Sequence, residues 1–198
     1  MTLKPIYTIL LASVFFFLGC NSGEENKGLI VEYDDEGLDL FDFQAFSLSP
    51  YQINALIYLP DEGSDIGAAT DPKILHALDD YRWSILVGQN FHLRIYDYGE
   101  DDGIVLHKEE LDDLSHMYEI EFIEDEPDFI YYKRTLKARS TDANAENVGI
   151  KHVSYHSLGN HKIQGINYIF RSVEEGHPKP VMEYMTKSIK SVKEVIPS

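Results

Sequence analysis

Cysteine is almost absent from this chain, because Cys20 is the only one among its 198 residues. A single cysteine excludes an internal disulfide, so the fold depends on its hydrophobic core and not on a disulfide framework. Long apolar runs are also scarce, and after residue 19 none is long enough to cross a bilayer as a helix. The length that follows residue 19 suits one domain with a sizeable core.

Positive charge is scarce as well, since 17 lysines and arginines stand against 34 aspartates and glutamates, a formal charge of -17. A field of this sign repels phosphate backbones, so we expect no nucleic-acid partner. Solubility at a crowded cell surface explains the charge most simply, and a cationic partner is the alternative. The acidic clusters are spread along the chain, at 34–36, 100–102, 109–110 and 124–126, which predicts a diffuse field.

The N-terminal stretch is the exception to the scarcity of apolar runs. Lys4 is its one charged side chain, and residues 6–18 are apolar with two exceptions. This length is typical of the hydrophobic region of a signal peptide and is too short to span a bilayer. The run ends in Leu18-Gly19-Cys20, where an ordinary secretory leader would end in residues of the Ala-x-Ala type.

The sequence before Cys20 resembles the lipobox of bacterial lipoproteins, in which the cysteine is lipidated and becomes the mature N-terminus. Gly19 fits this pattern, whereas Phe17 stands where leucine is usual. The resemblance implies a lipid on Cys20. Because such a lipid carries more than one acyl chain, it would give stable attachment to a membrane.

The chain is therefore expected to have three parts. Residues 1–19 form a signal peptide, the lipidated cysteine and a short tether occupy 20–28, and 29–198 form a single domain. The tether reaches at most about 26–29 Å, which keeps the domain close to its membrane. Glu24-Glu25 also resembles the export signal of some Bacteroidota lipoproteins. We expect an outer membrane-anchored protein of the cell envelope, either periplasmic or surface-exposed.

Alternating apolar and polar residues predict a domain built mainly from strands. Residues 91–96 alternate clearly, and residues 118–122 alternate with glutamates that give this strand one face in water. Another strand ends at Pro60, and residues 128–134 follow a turn. Two further strands flank Gly159-Asn160, which is typical of a two-residue hairpin turn. Because most connections are too short for crossover helices, we expect a largely antiparallel sheet.

Three segments favour helices. Asp71 can cap a helix that has Pro72 at its first position and runs to Leu78. Residues 108–117 favour a short helix. The clearest helix begins at Pro180, and its apolar stripe consists of Met182, Met185, Ile189 and Val192. We expect this stripe to dock on the chain's own sheet, and a partner-binding helix is the alternative.

The order of these elements resembles the Mog1/PsbP-like sandwich, and within it a group of uncharacterised Bacteroidota proteins that are often lipoproteins. The resemblance covers about residues 40–195 and rests on element order and on patterns such as IYLPDE at 57–62 and VGQNF at 87–91. It implies an α+β fold, an α/β/α sandwich in which an antiparallel sheet is flanked by helices. It implies no functional residue, because members of this family bind partners as different as a photosystem and a small GTPase.

Three histidines near the expected hairpin are candidates for metal binding. His152 and His156 share one face of a strand but lie about 13 Å apart, which is too far for one zinc ion. Across a Gly159-Asn160 turn, His161 would lie diagonal to His156 or directly opposite it, and a third ligand would have to come from elsewhere. Exposed histidines at a polar end of the sheet are the simpler interpretation, and we predict neither a metal nor a cofactor.

The acidic residues match no catalytic or calcium-binding pattern. Asp97, Asp101 and Asp102 belong to a loop expected to join two hairpin strands, and a glycine stands where an EF-hand needs its second oxygen ligand. Glu119 and Glu121 could form a hydrolase pair, but a strand facing solvent has the same residues. The sequence contains no G-x-S-x-G, no H-E-x-x-H and no glycine-rich phosphate loop.

The sequence thus predicts a lipid-anchored, non-catalytic binding or accessory protein of the cell envelope. Its partners would be the membrane, through the lipid on Cys20, and an unknown protein or small-molecule ligand. One alternative is an envelope hydrolase with a site assembled from scattered residues, which should show a deep pocket with converging titratable groups. Another is a purely structural envelope component, which should show a large apolar surface patch.

Overall fold

A computed structural model describes residues 37–67, 71–76, 81–137 and 152–196, all of which belong to one compact unit, Tyr33–Ser198. The expected signal peptide, Cys20 and the tether lie outside the described residues. Within the described part of the chain, no helix combines the length and the apolar character that a membrane span requires.

The described residues form ten strands and two α-helices. The strands are β1 (Phe43–Ser47), β2 (Ala55–Pro60), β3 (Lys73–His76), β4 (Arg82–Val87), β5 (Phe91–Asp97), β6 (Tyr118–Asp125), β7 (Phe129–Leu136), β8 (Val153–Ile163), β9 (Ile166–Ser172) and β10 (Lys193–Glu194). The helices are α1 (Gly103–Leu114) and α2 (Lys179–Lys190). Every strand pairing is antiparallel, and this confirms the expected α+β class with an antiparallel sheet.

The strands form two sheets. Seven of them lie in the order β3-β4-β5-β9-β8-β7-β6, and the other three in the order β1-β2-β10. The helix α2 and the three-stranded sheet pack on one face of the seven-stranded sheet, where they share one large hydrophobic core. The helix α1 packs on the opposite face over a smaller core. The seven-stranded sheet is therefore the middle layer of a sandwich.

Alternation along β5 shows how each face of the middle layer is specified. Phe91, Leu93 and Ile95 are buried in the large core, as their spacing predicted. His92 and Arg94 point to the opposite face, because successive side chains of a strand alternate. The same alternation places polar and charged residues beside α1.

The C-terminal helix α2 docks through the predicted stripe. Met182, Met185 and Ile189 have no exposed surface, and they belong to the large core. Gly159 on β8 lets the helix approach closely, since a Cβ there would lie 2.5 Å from Cγ2 of Ile189. The prediction that the stripe packs on the chain's own sheet is confirmed.

The hairpin turn predicted at Gly159-Asn160 is wrong. β8 continues through both residues as far as Ile163, and the chain reverses at Gln164-Gly165. These two residues have φ angles of 52° and 87°. Positive φ at both central positions is what a type I′ hairpin turn requires. Gly159 is needed for the approach of α2 and not for a turn.

The helix predicted from Asp71 is also wrong. Lys73–His76 is the edge strand β3, which pairs with β4, and the ring of His76 stacks on that of Trp83. The apolar residues that suggested a helix form a run too short to distinguish a helix from a strand. Backbone pairing with β4 decides the conformation.

The helix expected over residues 108–117 exists but begins earlier, at Gly103. The carboxylate of Asp102 accepts hydrogen bonds from the backbone N–H groups of Ile104 and Val105, at 3.0 and 3.2 Å. Asp102 is therefore the N-cap of α1. The acidic stretch before Gly103 joins β5 to α1, and the expectation that it joins two hairpin strands is wrong.

β6 is an edge strand of the seven-stranded sheet. Its glutamates Glu119 and Glu121 are exposed, as the sequence predicted. The expectation of a single wet face is only partly correct, because Phe122 and Ile123 are 40% and 46% exposed. A register shift between Phe122 and Glu124 interrupts the alternation.

Candidate functional site

Four of the chain's five arginines project from one face of the seven-stranded sheet, since Arg82 lies opposite Tyr96 on that face too. The other three lie on β5, β7 and β9. Arg94 on β5 pairs directly with Arg171 on β9. Leu158 on β8 pairs with Arg171, and Ser154 on the same strand pairs with Arg134 of β7. Because paired residues share a face and alternate residues of a strand share one too, all three arginines lie on the α1 side.

Three of the eight histidines have these arginines as electrostatic neighbours, and a fourth, His177, is a neighbour of His92 and His156. The electrostatic neighbours of His156 include Arg134, Arg171 and two other histidines, and those of His92 include Arg94. We call the following set the arginine–histidine cluster: Arg94, Arg134, Arg171, His92, His107, His156 and His177. It gathers three of the five arginines of an otherwise acidic chain.

His156 lies at the centre of the cluster and is only 3% exposed. Its ring stacks on that of Tyr132, with 5.0 Å between ring centres, and its Nε2 lies 2.8 Å from the Oγ atom of Ser154. A Cβ on Gly176 would lie 2.6 Å from this imidazole, so the loop before α2 rests on it. Burial, and then the charge of Arg134, lower the pKa of His156 to about 3, which leaves it neutral at physiological pH.

His107 connects the cluster to α1. Its Nε2 lies 3.0 Å from the hydroxyl of Tyr132, and its Nδ1 lies 3.0 Å from the carboxylate of Glu110. Burial lowers the pKa of His107 and raises the pKa of Tyr132 to about 12. Since these groups are uncharged near neutral pH, the positive charge of the cluster resides on its arginines.

The loop between β9 and α2 supplies the groups that face the arginines. An Nη atom of Arg94 lies 3.8 Å from the carboxylate of Glu174, and Arg134 donates a hydrogen bond of 2.7 Å to the backbone oxygen of Glu174. The guanidinium of Arg171 lies 5.9 Å from the ring centre of Tyr96, and it forms no ion pair with any described carboxylate. The cluster thus has more positive charge than its described partners neutralise.

Three buried polar atoms of the cluster have no hydrogen-bond partner among the described residues: Nε of Arg134, Nε2 of His92 and Nε2 of His177. A buried polar group without a partner costs about 1–3 kcal/mol. Native proteins contain few such groups, and each one indicates hydrogen-bonding capacity left for water or a ligand. Eight such atoms occur among the described residues, and three of them lie in this cluster, where water or a polar ligand can satisfy them.

A cleft of about 290 Å³ opens elsewhere, beside the C-terminal end of α2. It is lined by Leu38, Glu126, Asp128, Phe129, His161 and Lys190. The ammonium of Lys190 lies 4.4 Å from the ring centre of Phe129, pairs with Glu124 and lies 3.7 Å from Glu126. These contacts fasten α2 to the turn between β6 and β7, so we assign this cleft a structural role.

The structure separates the histidines considered for a metal site. His156 and His161 both lie on β8 at positions of opposite parity, so they point to opposite faces of the sheet. The arrangement across a hairpin is therefore wrong, because the turn lies farther along the chain. His152 is exposed at the start of β8. Among the described residues, no group of three His, Cys, Asp or Glu side chains could hold a metal ion.

Three of the five acidic residues considered for calcium binding or hydrolysis have local structural partners. Asp97 accepts a hydrogen bond of 2.8 Å from the backbone N–H of Gly99, while Asp102 caps α1. Glu121 forms an ion pair with Lys133 on the neighbouring strand. These contacts explain the three residues without a calcium loop or a hydrolase pair.

Acid should destabilise the protein through His156. Because its folded pKa of about 3 lies below its ordinary value of 6.5, the unfolded chain takes up the proton first as the pH falls. Above about pH 6.5, His156 is mainly neutral in both the folded and the unfolded chain, so it costs little stability. The free energy of unfolding should fall by about 2–3 kcal/mol between about pH 6.5 and 4.5.

Urea unfolding at these two pH values measures this loss in the natural protein and in His156→Gln. The variant should lose less stability on acidification, whereas the exposed control His152→Gln should behave like the natural protein. Equal losses in all three proteins would contradict the assignment to His156.

Sequence reasoning missed the arginine–histidine cluster. A usable signal exists, because Arg94 and Arg171 each lie on the opposite face of a strand from a row of mainly apolar residues. In a chain with five arginines, two in such positions indicate a shared surface once the strands are known to pair. The pairing of β5 with β9 was the missing information.

Similar proteins of known function would give independent evidence about the role of this cluster. Comparison with family models, with curated proteins and with solved structures finds no match to this chain. The chemistry of the cluster is therefore the basis for a function.

Proposed function

We propose that this chain is a lipid-anchored, non-catalytic binding protein of the cell envelope whose ligand is an anion bound at the arginine–histidine cluster. The gathering of Arg94, Arg134 and Arg171 on one sheet face of an acidic chain carries this proposal. The lipobox-like sequence ending at Cys20 supports the lipid anchor. Membership of the Mog1/PsbP-like family is part of the same proposal, and the layered α+β architecture is compatible with it.

Arginine is suited to anions by its geometry. Its planar guanidinium presents five N–H donors in a fixed fork that matches a carboxylate or phosphate, and it stays protonated at any physiological pH. The three guanidiniums are partly buried, and partial burial strengthens electrostatic attraction relative to bulk water. The neutral histidines around them add hydrogen-bonding groups without adding charge.

The negative charge of the whole chain does not prevent this binding. The field of exposed charges decays over about 8 Å at physiological ionic strength, so distant carboxylates act weakly on an ion at the cluster. Direct guanidinium contacts act at hydrogen-bond distance and are much less screened. The diffuse negative field acts over the rest of the surface, where it would attract a cationic partner.

One contact favours the hydrolase alternative, because Ser154 Oγ lies 2.8 Å from His156 Nε2. Nucleophilic catalysis by such a pair needs an accessible serine and a carboxylate that orients the histidine. Ser154 and His156 are only 5% and 3% exposed, and the electrostatic neighbours of His156 are arginines and histidines, with no carboxylate among them. The pair is therefore better explained as a buried hydrogen bond beneath the binding face.

Arg171→Gln tests the site directly. Calorimetry on the full-length protein in a non-ionic detergent, with inorganic phosphate and with D-glucuronate, measures the affinity for two simple anions. Loss of one guanidinium should weaken binding about tenfold or more, because a hydrogen bond to a charged group contributes about 1.5–3 kcal/mol.

Lys162→Gln is the matched control, since it removes one positive charge from an exposed position of β8. It should change the affinity less than about twofold, as expected for an exposed charge. Equal weakening by both variants would mean that only the overall charge matters. Absence of saturable binding to the natural protein would contradict the proposed function.

A further inference from the structure

We infer that the anion bound by the cluster is a carboxylate, and that the side chain of Glu174 is its internal stand-in. This inference rests on the proposed function and specifies its ligand. Glu174 belongs to the loop at 173–176, in which the N–H of Gly176 donates to the backbone oxygen of Val173 at 3.0 Å. Gly176 has a φ of 71°, which favours glycine, and the loop places the carboxylate of Glu174 beside Arg94.

The side chain of Glu174 is held loosely. Its carboxylate lies 3.8 Å from the nearest guanidinium nitrogen of Arg94, beyond hydrogen-bond distance, and the side chain is 74% exposed. An exposed ion pair of this kind contributes little to stability. A ligand carboxylate of similar charge can therefore displace it at small cost.

The loop itself is held by other contacts. Arg134 donates its hydrogen bond to the backbone oxygen of Glu174 and not to its carboxylate. Farther along, Tyr155 and His177 exchange two backbone hydrogen bonds of 3.1 and 3.0 Å. The side chain of Glu174 can swing away while the backbone of the loop stays in place, so exchange with a ligand requires no rearrangement of the fold.

The paired arginines of the cluster suit a planar carboxylate. Glu174 and Glu175 project from the loop, and Glu110 lies against His107 on α1. These carboxylates offset part of the attraction that the three arginines exert on an anion. Arg94 and Arg171 are directly paired across β5 and β9, with backbones about 5 Å apart, so that two planar guanidiniums can face one planar carboxylate.

Removing the internal carboxylate should therefore improve binding. In Glu174→Gln, a ligand no longer competes with a tethered carboxylate, and its affinity should rise about two- to fivefold, as expected for loss of a weak ion pair. Glu175→Gln is the control, because it removes the same charge from the next position and forms no ion pair with the described arginines. Its effect should stay below about twofold.

Calorimetry on the full-length protein in detergent measures both variants with D-glucuronate as the carboxylate probe and inorganic phosphate as the comparison. We expect the natural protein to prefer glucuronate and Glu174→Gln alone to bind it more tightly. Tighter binding of phosphate, or equal effects of the two variants, would overturn the carboxylate inference while leaving anion binding intact. If neither anion binds to the natural protein or to Glu174→Gln, the inference and the proposed function both fail.

Discussion

Replacing Cys20 with serine should release the protein from membranes and leave its domain folded. A serine hydroxyl cannot form the thioether that carries the diacylglycerol, so all anchoring acyl chains are lost together. Stable membrane attachment requires more than one acyl chain, and the variant would carry none of those that Cys20 provides. We therefore expect an almost complete shift from the membrane fraction to the soluble fraction.

Membrane fractionation and labelling with radioactive palmitate measure this change, and circular dichroism of the soluble product reports its fold. Ser22→Ala is the matched control, because it alters a small polar residue of the tether and should leave both labelling and fractionation unchanged. An unlabelled Cys20→Ser protein that stays in the membrane fraction would contradict the lipid anchor.

Ile189→Ala should destabilise the domain by about 2–5 kcal/mol. Ile189 is fully buried in the large core, where its Cγ2 methyl lies against Gly159 of β8. Truncation removes apolar contacts and leaves a cavity. Because the helix already packs closely against β8, it cannot move nearer to fill that cavity. Urea unfolding followed by circular dichroism measures the loss.

Glu183→Ala is the control on the exposed side of α2. Glu183 pairs only loosely with Lys179, at 3.8 Å, so its loss should cost about 0.5 kcal/mol or less. Unchanged stability of Ile189→Ala would mean that α2 does not depend on this contact. That result would restore the interpretation of its stripe as a partner-binding surface.

Sequence patterns predicted the elements whose periodicity is long and regular. The stripe of α2 repeats over three turns, and the alternation along β5 covers its whole length, so each pattern identifies both the element and its buried face. The segment after Asp71 is much shorter. Its few apolar residues fit a helix and a strand equally well, and the pairing of β3 with β4 decided the outcome.

The error at Gly159-Asn160 has a different cause. Glycine serves tight turns and also close packing, and its letter does not distinguish these roles. Here the packing partner is Ile189, which lies thirty residues farther along the chain and cannot be recognised from the local sequence. The true turn at Gln164-Gly165 contains only one residue with a strong turn preference.

The arginine–histidine cluster could not be predicted either, because its residues also come together only through contacts between distant parts of the sequence. Arg94 and Arg171 are far apart in sequence, and only the pairing of β5 with β9 brings them together. Strand order within an antiparallel sheet depends on long-range contacts, which local periodicity does not determine. The alternation at 91–96 did place Arg94 on the polar face of its strand, and no such prediction was made for Arg171.

The most direct test of the anion site follows the arginine side chains themselves. Nitrogen-15 labelling of the full-length protein makes the Nε–Hε groups visible by NMR, and titration with D-glucuronate reports which of them contact the ligand. The proposal predicts saturable shifts at Arg94 and Arg171 that are clearly larger than those at Arg82, which lies on the same face opposite Tyr96. Shifts that fail to saturate, or that are as large at Arg82 as at the cluster, would contradict it.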